Sequence, residues 1–150
     1  MVSLKKGQYL PRVSLAEAPD QSLDELADAY NRLRTIRLGA TAASKVLFAV
    51  RPDTAIPWDQ PIREEFHLRE GHSDYKAMLV RSREEARSLI TDAARCGIVG
   101  PERIAEVVGA RDRTLVRLLD EYHWTTITRG HDVPDHVELT RWLSWCSADG

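Results

Sequence analysis

Hydrophobic residues recur at intervals of three and four along most of the chain, a period that predicts helices rather than strands. Leu23, Leu26, Ala27, Tyr30 and Leu33 mark a first helix, opened by the capping box Ser22-Leu23-Asp24-Glu25 and ending near Thr35 to Arg37, before Gly39. Thr41 caps a second, whose inward face is Ala42, Val46, Leu47 and Val50. Pro52 and Pro57 bracket an extended loop, and Asp59, two residues ahead of Pro61, suits the cap of a third helix running through Arg69. The longest periodic run begins at Ser73. It places Tyr75, Met78, Leu79, Ala86, Leu89, Ile90, Ala93 and Ala94 on one face, with Gly97 as the stop. Two shorter helices follow: one after Gly100-Pro101 with Ile104, Val107 and Val108, and one from about Asp112 to Tyr122 with Leu115, Leu118 and Leu119 inward. Trp124 to Thr128 is the one β-like stretch. A final helix after Val133-Pro134-Asp135 carries Val137, Leu139, Trp142, Leu143 and Cys146. Residues 1–20, broken by Pro11 and Pro19, read as an irregular arm. The expectation is a single all-α domain over residues 1–150, a compact multi-helix bundle.

Composition narrows the class. A chain of 150 residues can close one core, and 43% hydrophobic with 29% charged residues is too apolar for wholesale disorder. There is no run of eighteen apolar residues to cross a membrane, and Lys5-Lys6 is not followed by the apolar segment of a signal peptide, so a cytoplasmic location is expected. Cys96 and Cys146 are too few for a disulfide framework and lack metal-ligand spacing; they read as buried reduced thiols. Arginine supplies 17 of the 21 basic residues, which fits a GC-rich bacterial genome. The net charge of −2 hides an asymmetry. From Arg32 to Arg51 the chain carries Arg32, Arg34, Arg37, Lys45 and Arg51 and no acid, so this segment is +5 and the other 130 residues sum to −7. Such a patch suits phosphates on an otherwise acidic body, and its plain alternative is a solvated face.

The same segment contains the most informative pattern. In Thr35-Ile-Arg-Leu-Gly-Ala-Thr-Ala-Ala-Ser-Lys-Val-Leu47 two helices meet at a short turn centred on Gly39, and the second opens with small residues. Small side chains let backbone amides approach a ligand, and the free N–H groups of a helix start attract anions. Ile36, Gly39, Ala42, Ala43, Val46 and Leu47, with Asp59 twenty residues past the turn, make the segment 23–66 resemble the helix-hairpin-helix DNA glycosylase superfamily. The resemblance implies a helix-hairpin-helix element contacting double-stranded DNA through Arg34, Arg37, Gly39, Thr41, Ser44 and Lys45. It also puts Asp59 at the position of the family's catalytic aspartate. There are departures: Arg37 replaces the first turn glycine, Trp58 replaces an aliphatic residue, and Thr41 stands where bifunctional members carry a lysine. Only about 35 residues precede the turn, where the family has a helical lobe.

Without the lysine, an imine and strand nicking are not available, whereas a carboxylate suffices to stabilise the cationic sugar and activate water. Asp59 therefore has two readings: a helix cap in a DNA-binding protein without catalysis, or the water-activating group of a monofunctional glycosylase. A second DNA element is offered by residues 101–120. Ala105, Gly109, Leu115 and Leu118 have helix-turn-helix spacing, which presents Arg111, Arg113 and Arg117 to phosphate or guanine; plain core packing gives the same spacing. The run His131-Asp132-Val133-Pro134-Asp135-His136 is read as a loop with Asp135 capping the last helix, and no metal or other cofactor is expected. Ser44 and Ser73 lack a nucleophile elbow, and there is no phosphate-binding Walker loop or dinucleotide fingerprint. A third reading keeps these helices only as a scaffold for a protein partner or a homo-oligomer, with Trp142 and Trp145 as contact residues.

Overall fold

The computed structural model describes residues 13–135, 137 and 138. Among them the fold is all-α, without strands. Helices α1 (Asp20–Leu33), α2 (Gly39–Val50), α3 (Gln60–Glu65), α4 (His72–Arg95), α5 (Pro101–Val107) and α6 (Leu115–His123) are preceded by a 3-10 turn at Leu15–Glu17; a kinked turn at Arg34–Leu38 joins α1 to α2, and a wide turn at Trp124–Thr128 follows α6. The arm before Val13 lies outside the described residues, as do Leu139, Trp142, Leu143, Trp145 and Cys146 of the expected final helix; Cys96, expected to be buried, is exposed just past the end of α4.

Helix α4 is the spine. Its 24 residues bury Tyr75, Met78, Leu79, Ser82, Ala86 and Ala93 along one stripe, close to the face that periodicity predicts. Helix α1 packs along it with Leu23, Ala27 and Tyr30, and α6 packs elsewhere on it with Val116, Leu119 and His123. Two α4 arginines hold the start of the described chain: Arg83 donates to Ala18 O (3.0 Å) and to Asp20 Oδ1 (2.7 Å), and Arg87 to Ala16 O (2.8 Å).

Several boundaries move from their sequence-based positions, each for a local reason. Helix α1 starts at Asp20, because Pro19 supplies the extended residue before the first turn (φ −70°, ψ 159°); Ser22 is thus inside the helix and caps nothing. Helix α2 buries Ala40, Ala43, Ser44 and Leu47, leaving Val46 and Val50 exposed. It packs on α1 and against the Trp58 backbone, and the residues on that face are mostly small. Helix α3 ends at Glu65, with His67 in a left-handed conformation (φ 54°). Helix α6 begins at Leu115, after Thr114 Oγ1 accepts from Arg117 N (3.1 Å), and the stretch 124–128 continues it as a wide turn.

The centre of the molecule is a buried loop. Residues Thr54 to Trp58 are all inaccessible although they form no regular element. Buried backbone must find hydrogen-bond partners, and here other segments supply them. Ser44 Oγ accepts from Trp58 N (3.2 Å) and donates to Trp58 O (3.3 Å), and Tyr75 Oη donates to Ile56 O (2.9 Å). Thr114 Oγ1 donates to Pro52 O (2.8 Å). Leu15 N donates to Asp53 O (2.8 Å), and Thr54 Oγ1 to Val13 O (2.6 Å). Around it Tyr30 and Tyr75 stack with ring centres 4.2 Å apart, and Trp58 meets both edge-on at 5.8 and 5.3 Å. Burial pushes both tyrosine hydroxyls above their ordinary pKa, so they act as neutral donors.

Candidate nucleic-acid interface

The α1–α2 turn is exposed and sharply bent. Arg37 sits in the left-handed region (φ 73°, ψ 17°) and Gly39 has φ 72°. Arg37 therefore adopts a conformation usually left to glycine. No side chain caps α2. Arg37, Gly39 and Lys45 are exposed, and Arg34 is half-buried with its guanidinium on Asn31 Oδ1 (3.2 Å). Two of the sequence-predicted contacts face elsewhere. Ser44 is fully buried, and its hydroxyl is consumed by the Trp58 backbone and Thr41 O (2.9 Å). Thr41 Oγ1 accepts from Nη1 of the buried Arg63 (3.2 Å), which also pairs with Glu70 and lies 5.5 Å from the Trp58 ring.

Charge pairing separates this segment from the rest. Arg81, Arg83, Arg87, Arg95, Arg103, Arg111, Arg113 and Arg117 each lie against a carboxylate. Among the described residues, Arg32, Arg34, Arg37, Lys45 and Arg51 make no ion pair, although Lys45 is near enough to Asp120 for its charge to act on that carboxyl, and outside the segment only Arg69 and Arg129 share that condition; Arg129 rests 5.1 Å from the Trp124 ring.

The second predicted element is placed differently from a helix-turn-helix. Residues 108–114 between α5 and α6 form a longer connection, with Arg111 and Arg113 in it rather than on a helix. Arg111 pairs with Glu106 (2.9 Å), Arg113 with Glu121, and Arg117 with Asp120 (2.8 Å) and Glu121 (3.0 Å). Their charge is largely answered within the protein.

Asp59 does cap α3. Its Oδ1 accepts from Ile62 N (3.1 Å), while Oδ2 accepts from Thr128 Oγ1 (2.8 Å), tying the turn after α6 to α3. The same residue lines a cleft of about 680 Å³ between α2 and α6, walled by Phe48, Trp58, Ile62 and Trp124. Lys45 stands on one side, and Arg117, Asp120 and Glu121 on the other. The Arg117 guanidinium lies 5.9 Å from the Phe48 ring. Burial holds the Asp120 carboxyl above its ordinary range, with Arg117 opposing. Thus Lys45 and Arg117, from the two predicted DNA elements, share one cleft with Asp59, and Arg111 and Arg113 do not line it. Sequence reasoning did not assign Phe48, Asp120, Glu121 or Thr128 to a site. The spacing of Asp120 and Glu121, three and four residues past Arg117 on one helix, is the signal that finds two of them. At the far end, Asp135 Oδ1 accepts from Glu138 N (2.8 Å), the expected cap, and no cluster among the described residues could hold a metal ion.

No protein-family model matches the chain, and neither a curated protein nor a solved structure matches it.

Proposed function

We propose that this protein binds the phosphate backbone of double-stranded DNA through the α1–α2 turn and does not itself cut a glycosidic bond. The observation that carries this reading is the set of exposed cations that make no ion pair, Arg32 and Arg37 on and beside that turn and Lys45 farther along α2, where nine of the thirteen other described arginines are ion-paired. An unpaired surface cation can exchange its counterion for a phosphate without breaking an internal bond. Both Asp59 oxygens are engaged in holding the fold, which favours binding over chemistry. The experiment is fluorescence anisotropy with a labelled duplex across a salt series. Arg37→Glu and Lys45→Glu are expected to weaken binding by several-fold each and to flatten its salt dependence. Absence of binding at low salt defeats the reading and leaves the scaffold alternative, which a sizing column addresses.

A second reading has its own observation: Asp59 borders the cleft beside Trp124 and Arg117, where a carboxylate could serve a reacting sugar. A monofunctional glycosylase leaves alkali-labile sites in the duplex, and Asp59→Asn abolishes them. A duplex that stays alkali-stable after prolonged incubation removes this reading.

A further inference from the structure

The cleft between α2 and α6 has an aromatic wall that its charged rim does not use. Phe48 is half-buried and Trp124 is 47% exposed, and both line it. Leaving such rings to water is unfavourable, and about 680 Å³ has room for more than one large side chain. The chain passes this wall as it leaves α6. Thr125 lines the cleft and its carbonyl accepts from His131 N (3.1 Å), so the backbone at His131 is fastened to the rim. Shortly after, Asp135 and Glu138 cap each other: Asp135 Oδ1 accepts from Glu138 N (2.8 Å), and Asp135 N donates to Glu138 Oε2 (3.3 Å). This reciprocal pair opens a helix that is already formed at Val137 and Glu138. The helical period puts Leu139, Trp142, Leu143 and Cys146 on one stripe and Val137 on the opposite side. Val137 is 65% exposed, which marks its side as the one facing solvent.

We infer that residues 139–146 of this same chain dock in the α2–α6 cleft and seat Trp142 and Leu143 against Phe48 and Trp124. The tether selects this occupant. Residues 132–138 span at most about 26 Å from the rim even when fully extended. The segment therefore meets the cleft at the high effective concentration of a short linker, which a second copy or a free partner does not have. The arm before Val13 is led elsewhere: Val13 O accepts from Thr54 Oγ1 (2.6 Å), and Thr54 does not line the cleft. That arm also brings Lys5, Lys6 and Arg12 toward a rim that already holds Lys45 and Arg117. Segment 139–146 has Arg141 as its one charge, which suits a rim where Arg117 is already paired with Asp120 and Glu121. Once seated, the segment shuts the cleft, and a sugar reaches Asp59 only by displacing it. The inference thus sides with binding over chemistry, and it is independent of the DNA contact at the α1–α2 turn.

The test alkylates the full chain with iodoacetamide and follows its two cysteines separately by mass spectrometry. Cys96 is exposed and serves as the internal reference. Docking makes Cys146 react at least about tenfold more slowly than Cys96, because its thiol is reached only through local opening. Phe48→Ala removes part of the cleft wall and speeds Cys146 by about fivefold, with the Cys96 rate unchanged. Val50→Ala, on the exposed side of α2, leaves both rates as they are. A readout free of any variant comes from the wild type: nuclear Overhauser contacts join the Trp142 ring and the Leu143 methyls to Phe48 and Trp124. Equal rates at the two cysteines, or a Cys146 rate unmoved by Phe48→Ala, overturn the docking. So do contacts of Trp142 with Val46 and Val50 in place of Phe48 and Trp124. Protection of Cys146 that fades on dilution, with the contacts seen only between chains in a mixed-isotope sample, assigns the cleft to a second copy and also overturns it. Each of these outcomes leaves the anisotropy result with duplex DNA to stand or fail by itself.

Discussion

Arg37 holds a left-handed backbone at the tip of the turn, and for an L-residue other than glycine this costs about 1–2 kcal/mol. Glycine relieves that cost but gives back about 0.4–1 kcal/mol by loosening the unfolded chain. Arg37→Gly is therefore expected to stabilise the protein by roughly 0.5 kcal/mol in a urea titration while weakening DNA binding, a gain and a loss in one substitution. Asp59 separates in another way. Asp59→Ala removes the α3 cap and the acceptor for Thr128, for a loss of about 1–2 kcal/mol, whereas Asn retains the capping oxygen and is close to neutral. Urea midpoints of the two variants check this, and they make Asp59→Asn a fair probe of chemistry. Ser44→Ala strands the Trp58 N–H in the core, so about 1–3 kcal/mol of stability is lost with DNA affinity unchanged per folded molecule. The Asp59 cap was legible from its distance to Pro61. The role of Ser44 was not, because its partner is loop backbone fourteen residues away and no local pattern announces a buried loop.

At the level of elements, α6 adds a part-buried polar pair to its apolar packing on α4. His123 Nε2 lies 2.8 Å from Glu85 Oε2, while Arg81 Nε donates to Oε1 (3.1 Å) and the Arg81 guanidinium covers Phe66 at 3.9 Å. Burial pushes the Glu85 carboxyl up, but the His123 bond and the charges of His123 and Arg81 outweigh it and leave Glu85 below its ordinary value of 4.5. A carboxylate depressed in the folded state contributes stability above its unfolded value, and loses it as the pH falls through the folded one. Glu85→Gln thus lowers neutral stability and flattens its decline below about pH 4.5. Asp120, raised by burial, has the opposite sign: the folded protein holds its proton more tightly, so stability falls as the pH rises from 3.8 through the folded value. Asp120→Asn accordingly stabilises at neutral pH. Urea midpoints between pH 3.5 and 7 read both slopes. The long α4 was plain from periodicity, since its stripe is apolar throughout. The inward face of α2 was not, because Ala and Ser pack where larger residues leave no room. The 124–128 turn looked β-like because Trp-Thr-Thr-Ile-Thr favours strands locally, and its packing on α3 through Thr128 overrides that preference.

Across the described residues, the charge asymmetry read from the chain survives folding as a difference in pairing: every arginine from 81 to 117 makes an ion pair, whereas no cation of the 32–51 segment makes one. The cleft was illegible because its walls come from positions 45 to 125 and are assembled only by packing. The loop from Thr54 to Trp58 carries one more consequence. Its anchors lie on α1 (Tyr30), α2 (Ser44) and α4 (Tyr75), so no two neighbouring helices complete the set. The hairpin is therefore not a portable module. A fragment spanning residues 20–69 keeps every cation of the turn yet loses Tyr75 and the whole α4 stripe. Its circular dichroism is expected to be that of an unfolded chain, and grafting the turn onto another protein would require carrying its supporting helix along.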